Sequence, residues 1–261
     1  MNIKELEVKI NKRLSPKIWS RWQERRLDGN IGYRLKEEVS NKLKEIADAF
    51  INFLEIPKDA VVDIRLLGSY ANYNYTKYSD LDLHLVVDYD KIHSDCPVVR
   101  GYLLAQKAVF NKDHDITIYG IPVELYAEST TDNTKSNGVY SVKQNRWLQE
   151  PSEPEVHVND LAVKAKYEEL EKAINMTGSQ DEAKSLLDKI YVLRKSGLEK
   201  GGEFSVENIV FKKLRDHGLI KKLKEQVKHA FDKELSLPEH KVSETLSKYI
   251  AYNILIDYLT I

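Results

Sequence analysis

Cysteine is nearly missing from this sequence, and neither proline nor glycine is concentrated anywhere: one Cys, seven Pro and eleven Gly are spread over 261 residues. The lone Cys96 excludes an internal disulfide framework and any Cys-based zinc cluster, so the chain suits a reducing cytoplasm. Cys96 precedes Pro97 with no base near it in sequence and reads as a packed or idle thiol. The remaining histidines, His84 apart, show no zinc spacing. No apolar run approaches the roughly 20 residues of a membrane helix, and Met1-Asn2-Ile3-Lys4-Glu5 alternates charge where a signal peptide would be apolar. The expectation is a soluble, cytoplasmic protein without a membrane partner. An excess of charge is missing too. A formal net charge of −1 removes the bulk electrostatic case for nucleic-acid binding and leaves only local basic patches such as Lys212-Lys213, Lys221-Lys222 and Lys224. What is present, 42% hydrophobic and 31% charged residues, is the balance of an ordinary helix-rich globular protein.

The length suits two modest domains. Ile31, Leu35, Val39, Leu43, Ile46, Ala47, Phe50 and Leu54 recur at helical intervals, which predicts a helix over 31–54 closed by Pro57. The short β-branched run 60–67 predicts a strand entering a sharp turn at Gly68-Ser69. Over 80–87 the period becomes two: Leu81, Leu83 and Leu85 share one face, and Asp80, Asp82 and His84 the other. A helix is expected over 98–110. A hairpin should follow from 115–119 and 121–126, turning at Gly120, with Pro122 marking an edge or bulge. A Ser-, Thr-, Asn- and Pro-rich stretch then suggests a linker over 131–157, in which 138–142 has extended character. Beyond 158 the pattern is helical: one helix around 161–174, a second opened by a Ser179/Glu182 capping box and broken at Gly201-Gly202, and further helices over 205–235 and 238–259.

Two aspartates at i and i+2 on a strand point the same way with Cα atoms about 7 Å apart, close enough to converge on a pair of divalent ions. Transfer of a nucleotide from a triphosphate uses such a pair, about 3.5–4 Å apart, to activate the attacking oxygen and to hold the leaving phosphates. Hard cations of this kind want carboxylate oxygens. Asp80 and Asp82 meet that need. A third carboxylate is best supplied by Glu124, although Glu128, Asp113 and Asp115 lie nearby. A glycine followed by a small hydroxyl residue at a strand-to-helix turn lets backbone approach a triphosphate, and Gly68-Ser69 supplies both. His84 reads as a hydrogen-bonding structural histidine. Arg65, Arg100, Lys107 and Arg146, taken singly, read as surface charges, with a phosphate contact as the alternative.

The run Leu67-Gly68-Ser69, ten residues, then Asp80-Leu81-Asp82-Leu83 resembles the signature of the DNA polymerase β-type nucleotidyltransferase superfamily. The strand carrying Glu124 looks like its third-acid strand. The resemblance covers residues 60 to 127. It implies a polymerase β-like domain with a mixed sheet, placed with its N-terminal helices over 1–130; with the helical pattern beyond, read as a C-terminal helical domain over 158–261, the fold class is α+β. It implies metal-dependent transfer of a nucleoside monophosphate from an NTP such as ATP to a hydroxyl of tRNA or another RNA end, a small molecule, a protein or a second nucleotide. Asp80, Asp82 and Glu124 would hold Mg2+ or Mn2+. Gly68 and Ser69 would hold the β- and γ-phosphates. Many relatives place small and basic residues just after Gly-Ser, whereas here Tyr70-Ala71-Asn72-Tyr73-Asn74-Tyr75 follows and the next cation is Lys77. The triphosphate grip then either differs from that of the relatives, with Lys77 as the nearby cation, or comes from the helical domain. An idle nucleotide-binding module and a toxin or defence enzyme are the alternatives compatible with the same residues.

Overall fold

The β-branched run at 61–67 and the alternating run at 81–87 pair as neighbours at the centre of a six-stranded sheet in the computed structural model of the protein. The structure describes residues 11, 13–22, 32–132, 136–152 and 160–236. Chain order along the sheet is β3 (Val61–Leu67), β4 (Leu81–Val87), β5 (Thr117–Ile118), β6 (Ile121–Ser129), β7 (Val139–Ser141) and β8 (Arg146–Gln149). In space the order is β5-β6-β4-β3-β7-β8. All pairings are antiparallel except β4 with β6, so the sheet is mixed. A parallel pair needs a crossover, and α2 (Cys96–Asp113) lies in that connection. With four helices following the sheet among the described residues, the expected α+β class holds.

The N-terminal expectation needs correction. The helix α1 runs Glu37–Leu54, not from 31; Ile31 lies outside the described residues, and Leu35 ends a strand. That strand, β2 (Gly32–Leu35), pairs antiparallel with β1 (Trp19–Trp22). Leu35 sits four residues before Val39 and so fits a helical stripe, but tertiary pairing with Trp19 overrides that spacing. The helix begins where Glu37 and Glu38 place negative charge at its positive end. Val39, Leu43, Ile46, Ala47, Phe50 and Leu54 bury its apolar face.

The hairpin at Gly120 forms as its sequence requires. Tyr119 and Gly120 both take positive φ, 52° and 75°, the pattern of a two-residue turn whose twist matches the strands. Pro122 faces Thr117 in β5, which is only two residues long, so most of β6 has no strand on that side. Helix α2 covers this open edge. The Asn111 side chain donates to the Leu125 carbonyl at 2.9 Å and accepts from the Leu125 amide at 3.0 Å, taking the place of a strand neighbour. Residues inside the expected 131–157 linker also extend the sheet: β7 pairs with β3, and β8 pairs with β7.

The helical part comprises α3 (Asp160–Met176), α4 (Gln180–Gly201), α5 (Val206–Asp216) and α6 (Leu219–Leu235) around its own core, in which Val163, Tyr167, Ile174, Leu214 and Leu223 are buried. The Ser179/Glu182 capping box opens α4, and Gly202, at φ 66°, ends it. The helical stretch expected over 205–235 is two helices separated at Gly218, whose φ of 75° continues no right-handed helix. The helix expected over 238–259 lies outside the described residues. Among the described residues no helix is long and apolar enough to cross a membrane.

Glu203, in the short turn between α4 and α5, joins the helical part to the sheet. Its Oε2 accepts from the Asn72 and Asn74 side chains at 2.8 and 2.7 Å, just beyond the Gly68-Ser69 turn. The Asn137 amide approaches Oε1 at 3.5 Å.

Asn111→Leu strips the Leu125 amide and carbonyl of their partners. A lost hydrogen bond costs about 1 kcal/mol and a stranded buried polar group about 1–3 kcal/mol. Urea denaturation should therefore show the variant less stable by about 2–4 kcal/mol, whereas a change below about 0.5 kcal/mol would mean that the β6 edge does not depend on this amide.

Candidate active site

The parallel register of β4 and β6 sets Asp82 directly opposite Glu124. Leu81, Leu83 and Leu85 on β4 and Leu125 on β6 are fully buried, so the intervening positions are turned to the other face of the sheet. Asp80 precedes β4 and completes the group. One carboxylate oxygen from each of Asp80, Asp82 and Glu124 lies within 4.8 Å of the others, so a single cation can touch all three.

Three carboxylates at that spacing repel. Burial foremost, then the charges of Asp80 and Glu124, push the Asp82 carboxyl from 3.8 to about 7, while Lys212 and Arg215 act in the opposite sense. A divalent cation removes the repulsion, and oxygen donors are what Mg2+ and Mn2+ select. The donor set fits such an ion.

Gly68 abuts this cluster. Its φ is 70°, and a Cβ built there would lie 1.8 Å from Asp82 Oδ2. Leu67 is the β3 partner of Asp82, so the chain must turn away immediately beside the carboxylate, and only glycine permits both the angle and the approach. Ser69 is buried and opens a single 3-10 turn, Ser69–Ala71. The tyrosines that follow mainly pack: Tyr70 and Tyr73 are buried, and Tyr70 stacks on Tyr75 at 5.3 Å. Lys77 is exposed, its ammonium 4.7 Å from the Tyr78 ring centroid.

The other sequence candidates fall elsewhere. His84 is a structural histidine, as expected: its Nδ1 is 3.2 Å from Glu128 Oε2 and its ring stacks on Tyr126. Arg65 bonds Asp63, Arg100 holds Asp132 with two hydrogen bonds, and Arg146 bonds Gln144. The exposed Cys96 thiol contacts Asp90 and is pushed up by burial and by that aspartate, away from a reactive thiolate.

Two groups of residues surround the acids, although from sequence Lys212 stands out only in a basic pair and Lys107 only as a lone surface cation. On the helical side, Lys212, Arg215 and Arg194 act on Asp82 or one another. Burial pushes the Lys212 ammonium down; Glu203 and Asp82 favour its charged form, while Arg215 and Arg194 oppose it. Arg194 is likewise lowered by burial; it bonds Asn208 and lies over the Phe211 ring at 4.2 Å. Asn208, Lys212 and Arg215 recur at helical spacing, which marks one face of α5, but nothing local says that this face meets the acids. On the sheet side, Lys107 Nζ is 3.3 Å from Glu124 Oε1, and the Tyr126 hydroxyl donates to the same oxygen at 2.7 Å. The Tyr126 phenol is raised by burial and by that hydrogen bond and remains a donor.

Folding raises the Asp82 pKa, so the stability associated with its protonated form is complete below about pH 4 and is lost as pH rises through about 7. Without metal, the thermal midpoint of the wild type should therefore fall between about pH 4 and pH 7 relative to Asp82→Asn and level off above that. Added Mg2+ or Mn2+ should restore the wild type at pH 8 and leave Asp82→Asn unmoved. Parallel profiles for the two proteins would contradict this. Gly68→Ala, which drives a methyl into Asp82, should abolish the metal-dependent rise in the same assay.

No family model and no curated protein sequence matches the chain. Among solved structures, the STING-associated CdnE c-di-GMP synthase from Capnocytophaga granulosa is similar at 14% identity over 76% of this chain and 84% of that one, with a TM-score of 0.23. A likeness that loose assigns no residue a role, and the geometry of Asp80, Asp82, Glu124 and Gly68 stands by itself.

Proposed function

We propose that this protein is a metal-dependent nucleotidyltransferase that transfers a nucleoside monophosphate from an NTP to a hydroxyl acceptor. The observation that supports this best is the convergence of three carboxylates from adjacent strands beside a glycine turn that has no room for a side chain. Asp80, Asp82 and Glu124 would hold the metal. Bound Mg2+ or Mn2+ supplies activation of the acceptor oxygen and neutralises charge on the phosphates. Gly68 and Ser69 bring backbone close to the triphosphate.

The phosphate charge needs cations, and the turn after Gly68 has none before Lys77. Lys212 offers a desolvated ammonium that is coupled to Asp82, while no hydrogen bond or ion pair to it is found among the described residues. A desolvated cation without a bonded partner is poised for an anion. Arg194 and Arg215 add to the same field. In this reading the helical part contributes the triphosphate grip and the sheet contributes the metal centre, with the Glu203 bonds to Asn72 and Asn74 keeping the two in register.

The test incubates the full-length wild type and Asp80→Ala/Asp82→Ala with each α-³²P-labelled NTP, Mg2+ or Mn2+, and tRNA or cell extract. Label transferred by the wild type alone is expected, and where it lands identifies the acceptor as RNA, protein, small molecule or nucleotide. Metal-dependent nucleotide binding without transfer to any acceptor would instead mark a binding module. Lys212→Ala should raise the apparent KM for the NTP by about 10-fold or more, the loss of one charge-assisted contact of about 1.5–3 kcal/mol.

A further inference from the structure

Glu124 is the least secured of the three acids by its own chemistry. It has one more rotatable bond than an aspartate and faces two like charges, so a free Glu124 side chain would turn toward solvent. Two neighbours prevent this, and both act on one oxygen. The Tyr126 hydroxyl donates to Oε1 at 2.7 Å, and Lys107 Nζ stands 3.3 Å from the same atom. Among the described residues, no hydrogen bond or ion pair ends on Oε2.

We propose that Lys107 and Tyr126 are positioning residues for Glu124, fixing Oε1 so that Oε2 is presented to a divalent ion shared with Asp80 and Asp82. The inference rests on the metal-centre reading above. Tyr126 lies two residues beyond Glu124 on β6, hence on the same face. Its ring is itself held: it stacks on His84 at 4.6 Å, and His84 is tied to Glu128. The Lys107 ammonium lies 3.3 Å from the Tyr126 ring centroid, so cation, phenol and carboxylate form one closed group. Lys107 arrives from α2, which is anchored one turn later by Asn111 to Leu125, the residue between Glu124 and Tyr126. Two elements, α2 and β6, therefore converge on a single carboxylate oxygen.

A stabilising role alone does not account for this arrangement. The side chains of Lys107 and Glu124 are 20% and 36% exposed, and ion pairs open to solvent contribute little to folding. Groups that orient a metal ligand from behind have a larger effect, and their loss typically costs about 10–100-fold in metal affinity or activity.

The test is a Mn2+ titration of the full chain followed by electron paramagnetic resonance of the free ion, with thermal unfolding as the fold control. Tyr126→Phe and Lys107→Met should each keep the thermal midpoint and weaken Mn2+ binding about 10-fold. Glu124→Gln should weaken it at least as much, and adding either substitution to Glu124→Gln should change nothing further, because both act through that carboxylate. Unchanged affinity in the single variants, or losses that add to that of Glu124→Gln, would overturn the proposal. Tighter binding by Lys107→Met would overturn it for Lys107, which would then compete with the metal. A wild type that binds no Mn2+, or a Glu124→Gln protein that binds it normally, would overturn the metal-centre reading beneath it.

Discussion

Three carboxylates kept within 4.8 Å of one another are the constraint to which the rest of the structure answers. The parallel pairing of β4 with β6 imposes it, since the register that buries Leu83 against Leu125 also sets Asp82 against Glu124. The apolar side of the sheet thus stabilises what the polar side resists. A fully buried leucine side chain contributes about 1.5–3 kcal/mol, and four such residues flank the acids, so burial outweighs the mutual repulsion of three partly solvated charges. The cluster is strained but affordable.

The surroundings distribute the remaining cost. Lys212 and Arg215 oppose the charge from the helical side, and Lys107 does so from α2. Further along the same face the polar groups are mutually satisfied: Asp63 takes hydrogen bonds from Ser141 and Arg65, and Glu128 engages His84. The face is therefore uneven. Its inner rows are closed networks, and unspent charge collects where Gly68 brings backbone against Asp82.

Much of this site is legible in one dimension because its central part is built on a period of two. Asp80-Leu81-Asp82-Leu83 states both the buried and the charged face, and Gly120 places the Glu124 strand in a hairpin. What the sequence does not state is which strand lies beside which. Nothing in residues 121–129 says that they run parallel to β4, and only that pairing singles out Glu124 over Glu128, Asp113 or Asp115. Leu35 shows the opposite case, a residue whose spacing fits a helix but whose partner, Trp19, makes it a strand. Lys212 was visible only as part of a basic pair, since its relation to Asp82 spans 130 positions and depends on how the helices dock. Lys107 was visible as a lone cation. Its partner on β6 becomes apparent only once Asn111 has fastened α2 to the edge of the sheet.

The Glu203 seam has a mechanical consequence. The Asn72 and Asn74 amides end on the same carboxylate oxygen, so displacing that oxygen strains both bonds together. Because Asn72 lies four residues past Gly68, the position of Glu203 bears directly on the turn beside Asp82, and the helical part is tied to the metal-facing edge of the sheet through a single oxygen.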